Sequence, residues 1–170
     1  PGPALRATAS GVARLLAEEA GPRVAAFDLA GWDTHAGQAQ RLRQLLKGLD
    51  EMLAALREGL GAEWSRSVVM VVTEFGRTVR RNGTGGTDHG TASVAMLAGG
   101  AVAGGKVHGD WPGLAAGRLH QGRDLAPTTD MRALFKGVLA AHLGLARGAL
   151  DRTVFPGSED VRPLAGILRA

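Results

Sequence analysis

The chain has 170 residues, 45% of them hydrophobic and 21% charged, with no cysteine and a formal charge of +4. This is globular composition, which excludes disorder, and the missing cysteines exclude disulfides and thiolate metal sites. Of the 20 basic residues 17 are Arg, but the nearest thing to a cluster, Arg77, Arg80 and Arg81, falls short of the basic stripe that a nucleic-acid surface needs.

The expected elements follow in chain order. Leu5, Val12, Leu15 and Leu16 fall near helical spacing and predict a helix over 4–19, stopped at Gly21-Pro22. Residues 23–30 are a short apolar run between Gly-Pro and Gly31, which suits a buried strand, and 31–37 read as a loop. The clearest helix is 38–60, where Leu42, Leu45, Leu46, Leu49, Met52, Leu53, Leu56 and Leu60 form one apolar stripe with a charged back. Residues 67–73 are β-branched and apolar on both faces, the pattern of a central parallel strand. A long polar, Gly-rich loop over 74–91 follows, and a loop of that length in a compact domain usually carries function. Residues 92–98 suit another strand and 99–127 suit turns. Residues 129–143 read as a helix with Thr129 as N-cap, Asp130 against its dipole, Gly144 as C-cap, and Met131, Leu134, Phe135, Val138 and Leu139 on its buried face.

This alternation predicts an α/β fold, a mostly parallel sheet flanked by helices. Residues 1–170 make one domain. No apolar run reaches the roughly 18 residues of a membrane span, and no signal peptide is present. The chain opens at Pro1 without Met, already in a helical pattern, and reads as a fragment of a longer protein.

Two of the five histidines have a carboxylate beside them in a loop that follows an expected strand, where α/β proteins bind ligands. Asp33 and His35 stand two apart, so in an extended segment both point to one side and can share an ion. Asp88 and His89 are adjacent and point apart, so they either chelate through a turn or serve two neighbouring ions. An oxygen–imidazole set suits Zn, Mn or a related divalent ion, and two ions together can clamp the attacking and leaving oxygens of phosphoryl or sulfuryl transfer. Against this stands the plain reading of each pair, a turn-capping Asp and a solvent-facing His.

Glu74, at the end of the 67–73 run, can be a ligand, a carboxylate that hydrogen-bonds a liganding His from behind, or a partner of Arg77, and the second suits it better than the first. Arg77 has the planar fork that matches phosphate or sulfate oxygens, or it makes a structural ion pair. His108 reads as a surface residue ahead of an extra ligand, His120 and His142 as structural residues, and Trp32 and Trp111 as core residues ahead of walls of the site. Gly100–Lys106 mimics a phosphate-binding loop up to its Lys, but Val107 stands where Ser or Thr is needed. Neither a HExxH helix nor a GxSxG nucleophile elbow is present.

Gly31-Trp32-Asp33-Thr34-His35, Thr73-Glu74-Phe75-Gly76-Arg77-Thr78 and Gly85-Gly86-Thr87-Asp88-His89-Gly90 together resemble the domain-of-unknown-function family 1501, described as sulfatase-like. Leu97–Gly100, Gly104–Val107 and Pro127–Asp130 fit it as well, so the likeness runs from about residue 20 to 157. The family is similar to the alkaline phosphatase and sulfatase superfamily. That likeness implies an alkaline-phosphatase-like sheet, incomplete in this chain, and one or two divalent metals (Zn, Mn or Ca) on Asp33, His35, Asp88 and His89. It also implies an anionic small-molecule or glycan ester as substrate, and export to the periplasm of a bacterium by a signal outside this chain. The superfamily's nucleophile and first metal-binding Asp belong to an N-terminal part that has no counterpart here, which leaves the catalytic residue unassigned. The expected function is therefore metal-dependent hydrolysis of phosphate or sulfate esters. The alternative is a non-catalytic extracytoplasmic binding module of the same fold, and nucleic-acid binding is the weakest reading.

Overall fold

The first expected helix forms as α1 (Gly2–Ala17) in the computed structural model, which describes residues 2–169. Its buried face differs from the one its leucines mark. Ala9 and Ala13, one turn apart, are wholly buried, whereas Leu15 is half exposed. The reason is the partner, α2 (Gln38–Leu60), against which α1 packs. A Cβ on Gly59 would come within 2.6 Å of the Ala13 Cβ, so the two helices approach over small residues that leucines would hold apart. The α2 bounds are those its apolar stripe predicts. Leu49, Met52, Ala55, Leu56 and Leu60 are buried, each of the larger side chains contributing about 1.5–3 kcal/mol, while Leu46 stays exposed.

Two compact units emerge, one comprising Pro1–Ser65 and Arg77–His89, the other Arg66–Gly76 and Gly90–Ala170. The α1–α2 pair is the body of the first. The second holds β1 (Val69–Val71) and, after the short strands β2 (Gly76–Arg77) and β3 (His89–Gly90), β4 (Met96–Ala98). It also holds α3 (Met131–Leu143) and a helical stretch over Arg147–Ala149 and Leu150–Val154. Val102, Val138, Leu150 and Ile167 are its buried apolar residues.

The expected α/β fold with a mostly parallel sheet is not what forms. The described residues carry two sheets of two strands each, β1 with β4 and β2 with β3, and no extended parallel sheet flanked by helices. β1 runs antiparallel to β4, Val69 opposite Ala98 and Val71 opposite Met96, and its residues are only partly buried. The 23–30 run forms no strand, with Val24 66% exposed and Phe27 36% exposed. A β-branched or apolar run gives a segment its preference for an extended backbone. The ladder partner and its direction come from distant residues that the run does not encode. Among the described residues no helix is long and apolar enough to cross a membrane.

Helix α3 begins one residue later than its expected cap. Asp130, not Thr129, is the N-cap, and its carboxylate accepts from the Arg132 backbone N–H. The Arg132 guanidinium closes on the same carboxylate and holds it below the ordinary Asp range. Gly144 caps the C-terminus in the left-handed region at φ 69°, as expected. On the buried face Val138 is joined by Lys136 and Gly137. A Cβ at Gly137 would fall 2.3 Å from the Leu164 carbonyl oxygen, so the C-terminal segment lies directly on the helix there. The Leu164 N–H donates to the Ala133 carbonyl beside it.

Candidate metal centre

Asp33 and His35 lie in the loop before α2, and backbone bonds fix that loop to residues 82–88. The Gly37 and Gln38 N–H groups donate to the Thr84 and Gly85 carbonyls, and the Thr87 N–H donates to the Thr34 carbonyl. Side-chain alternation then sorts the loop. Thr34 is buried, as is Thr87, and the Gln38 amide at the start of α2 donates to both hydroxyls. With Thr34 turned inward, Asp33 and His35 both face outward on one side, as residues two apart in an extended segment do.

Gly86 makes the crossing of the two segments possible. A Cβ there would sit 2.2 Å from the His35 carbonyl carbon and oxygen. Gly86→Ala is therefore expected to push the two segments apart. Overpacking of this kind typically costs about 1–3 kcal/mol, so a lowered thermal midpoint together with weakened metal uptake checks it, and an unchanged midpoint would count against the close approach.

His35 Nε2, His89 Nε2 and Asp33 Oδ1 form a triangle whose three edges are each 3.0 Å. The side chains are 45–55% exposed, so one face of the triangle is open to solvent. Two imidazole nitrogens and a carboxylate oxygen at that spacing repel one another unless a proton or a cation lies between them. The corners of such a triangle lie about 1.7 Å from its centre. An ion bound at about 2.0–2.1 Å from each ligand would thus stand about 1.1 Å above the plane with all three in reach. The residues fit a metal ion.

Arg77 braces this corner. Its Nη1 donates to Asp33 Oδ1, and its Nε and Nη2 donate to the hydroxyl and carbonyl of Thr87. The guanidinium is the chief cause that holds the Asp33 carboxyl below its ordinary range, helped by His89. Three of its five N–H donors are thereby committed.

Asp88 stands beside the triangle, not in it. Its Oδ1 lies 3.2 Å from His35 Nδ1, the ring nitrogen turned away from the metal corner, and 3.0 Å from the Asn82 amide nitrogen. The Asn82 amide first, then His35, lower the Asp88 carboxyl below the ordinary Asp range. Of the four metal ligands expected from sequence, the structure thus brings together Asp33, His35 and His89 and sets Asp88 behind His35. Glu74, expected to hydrogen-bond a liganding His, is an exposed residue of the second unit, as is His108. Trp111, expected in the core, is 69% exposed.

The residues that sequence reasoning missed are Asn82, Thr34, Thr87 and Gln38. Asn82-Gly83 is a turn signal, and the turn forms, but nothing local shows that the Asn side chain reaches back 47 residues to the His35 carbonyl.

Fold and site together define a helix-rich protein with an exposed Asp–His–His group able to hold a metal ion. The sequence model of a family described as "protein of unknown function (DUF1501)" matches residues 6–154, and the chain belongs to that family. No curated protein and no solved structure matches it significantly.

Proposed function

We propose that this chain binds one divalent metal ion, Zn or Mn, at Asp33, His35 and His89 and serves the hydrolysis of phosphate or sulfate esters. The observation that carries the reading is the triangle of 3.0 Å edges with an open face. Three protein ligands and a free position are the pattern of a catalytic metal site, whereas structural sites are closed. Imidazole with carboxylate favours Zn or Mn over Ca, which prefers six to eight oxygens. A bound ion supplies a lowered pKa for coordinated water and stabilises charge developing on ester oxygens.

The chain's own residues shape what can bind. Arg77, fixed against Asp33 and Thr87, keeps a positive charge beside the open face, which favours an anionic ester. Kinship with phosphatases and sulfatases rests here on the Asp-x-His and Asp-His motifs, not on a parallel-sheet architecture, and an extracytoplasmic location rests on the same likeness.

One observation favours a second reading. The hydroxyls around the triangle are committed to structure. Thr34 and Thr87 take the Gln38 amide, and Thr84 bonds the His35 carbonyl. No nucleophilic side chain is thereby offered by this loop pair, as a non-catalytic binding module would have it.

Elemental analysis of the purified chain, with turnover of p-nitrophenyl phosphate and sulfate before and after chelation, tests both. About one ion per chain with chelator-sensitive turnover supports the hydrolase. An ion without turnover supports the binding module, and no ion in either Zn- or Mn-supplemented protein sinks the metal reading.

A further inference from the structure

We propose that Asp88 is a positioning residue. Its carboxylate, aimed by Asn82, holds His35 as the Nδ1–H tautomer and so presents the Nε2 lone pair to the corner shared with Asp33 and His89. The functional part of this inference rests on the metal reading above, while the tautomer itself does not.

The hydrogen-bond pattern favours this tautomer, since Asp88 meets His35 in a hydrogen bond while Asp33 Oδ1 is already bonded to Arg77 and His89. The Asn82 amide cannot be flipped, because its oxygen faces two backbone donors, the Thr84 and Gly86 N–H groups, while its nitrogen faces two acceptors, the His35 carbonyl and Asp88 Oδ1. Both of its amide hydrogens and its oxygen are therefore spoken for. The Asp88 backbone is pinned in turn. Its N–H donates to the Thr78 hydroxyl, and its carbonyl accepts from the Thr78 N–H. Asp88 Oδ1 thus reaches His35 Nδ1 from a fixed frame. An ionised carboxylate has no hydrogen to give, so the hydrogen between the two belongs to Nδ1. In a neutral imidazole the other nitrogen, Nε2, is then an unprotonated acceptor, and Nε2 is the atom that faces Asp33 and His89 at 3.0 Å.

This is how a carboxylate behind a metal-binding histidine acts. It selects the tautomer, orients the ring and raises its basicity. It also explains why an Asp adjacent in sequence to His89 contributes nothing to the three-atom group. With the backbone pinned, Asp88 and His89 point to different sides, and Asp88 serves the histidine 53 residues away.

The test uses the full chain and two readouts. In ¹⁵N-labelled protein in mildly alkaline buffer, long-range ¹H–¹⁵N correlation is expected to show His35 protonated at Nδ1. Asp88→Asn keeps an acceptor oxygen and should keep that tautomer, and Asp88→Ala should move it to Nε2–H. In cobalt(II) titrations, Asp88→Ala is expected to weaken binding about 10- to 100-fold with the visible absorption band unchanged, and Asp88→Asn less. A wild-type His35 protonated at Nε2 overturns the proposal. So does an Asp88→Ala variant whose tautomer does not move, or whose cobalt band changes, as it would if a ligand were lost. Should the wild type bind no cobalt, the metal reading fails, while the nitrogen shifts still decide the role of Asp88.

Discussion

Replacing His35 by alanine is expected to abolish uptake of a divalent ion, lowering affinity by more than about 100-fold. Loss of a residue that only positions a ligand costs roughly 10- to 100-fold, and His35 does more than that. Its Nε2 is one corner of the triangle, 3.0 Å from each of the other two, and without it Asp33 and His89 form a two-point chelate on an exposed loop pair. His89→Ala should match it for the same reason. Asp33→Asn is the sharper comparison. The amide oxygen still accepts from Arg77, so the brace of the corner survives while the carboxylate charge is lost. Isothermal titration with Zn(II) or Mn(II) measures all three, and circular dichroism shows whether each variant keeps its helices. Retention of wild-type affinity in His35→Ala would mean that the ion, if bound, sits elsewhere. Equal loss in Asp33→Asn and His35→Ala would show that charge and geometry are both required at the triangle.

That much of the site could be read from sequence follows from its local origin. Asp33-Thr34-His35 is a two-residue alternation, and the burial of Thr34 is what turns its neighbours to one side. The helix α2 was legible to its ends for a similar reason, since its stripe repeats every three to four residues and decides burial without help from the rest of the chain. Features set by distant contacts were not legible. Asp88 looks like a ligand beside His89, and only the pairing of Thr78 with Asp88 and the reach of Asn82 assign it to His35. The 67–73 run carries the β-branched residues of a central strand, yet only Val69, Met70 and Val71 pair, with Met96–Ala98, in an antiparallel ladder that no property of the run specifies. Lys136 is the plainest case. It is not among the residues expected on the buried face of α3, and it is wholly buried.

Lys136→Met is expected to destabilise the second unit by about 3–5 kcal/mol, the range for removing one partner of a buried ion pair, and to lower the thermal midpoint by on the order of 10 °C. The ammonium of Lys136 has three hydrogens and three acceptors. It donates to Asp151 Oδ1 and to the carbonyls of Ser158 and Val161. Asp151 uses its second oxygen for Arg147, whose guanidinium also reaches the Glu159 carbonyl. One lysine therefore fastens α3 to the stretch after it and to residues 158–161, and methionine would fill the space while leaving two carbonyls without their donor. Acid should act on the same lock. Lys136 first, and then Arg147, hold the Asp151 carboxyl below its ordinary range, so the folded chain binds fewer protons there than the unfolded chain. Its contribution is fully present above the unfolded value of about 3.9 and is lost as pH falls through the lower folded value. In Asp151→Asn the loss of stability below about pH 4 should be correspondingly shallower, although that variant starts from a lower midpoint at neutral pH. Thermal unfolding followed by circular dichroism between neutral and acid pH measures both effects. A Lys136→Met midpoint equal to that of the wild type would show that the two carbonyls find other donors and that the lysine is not what holds residues 158–161 to α3.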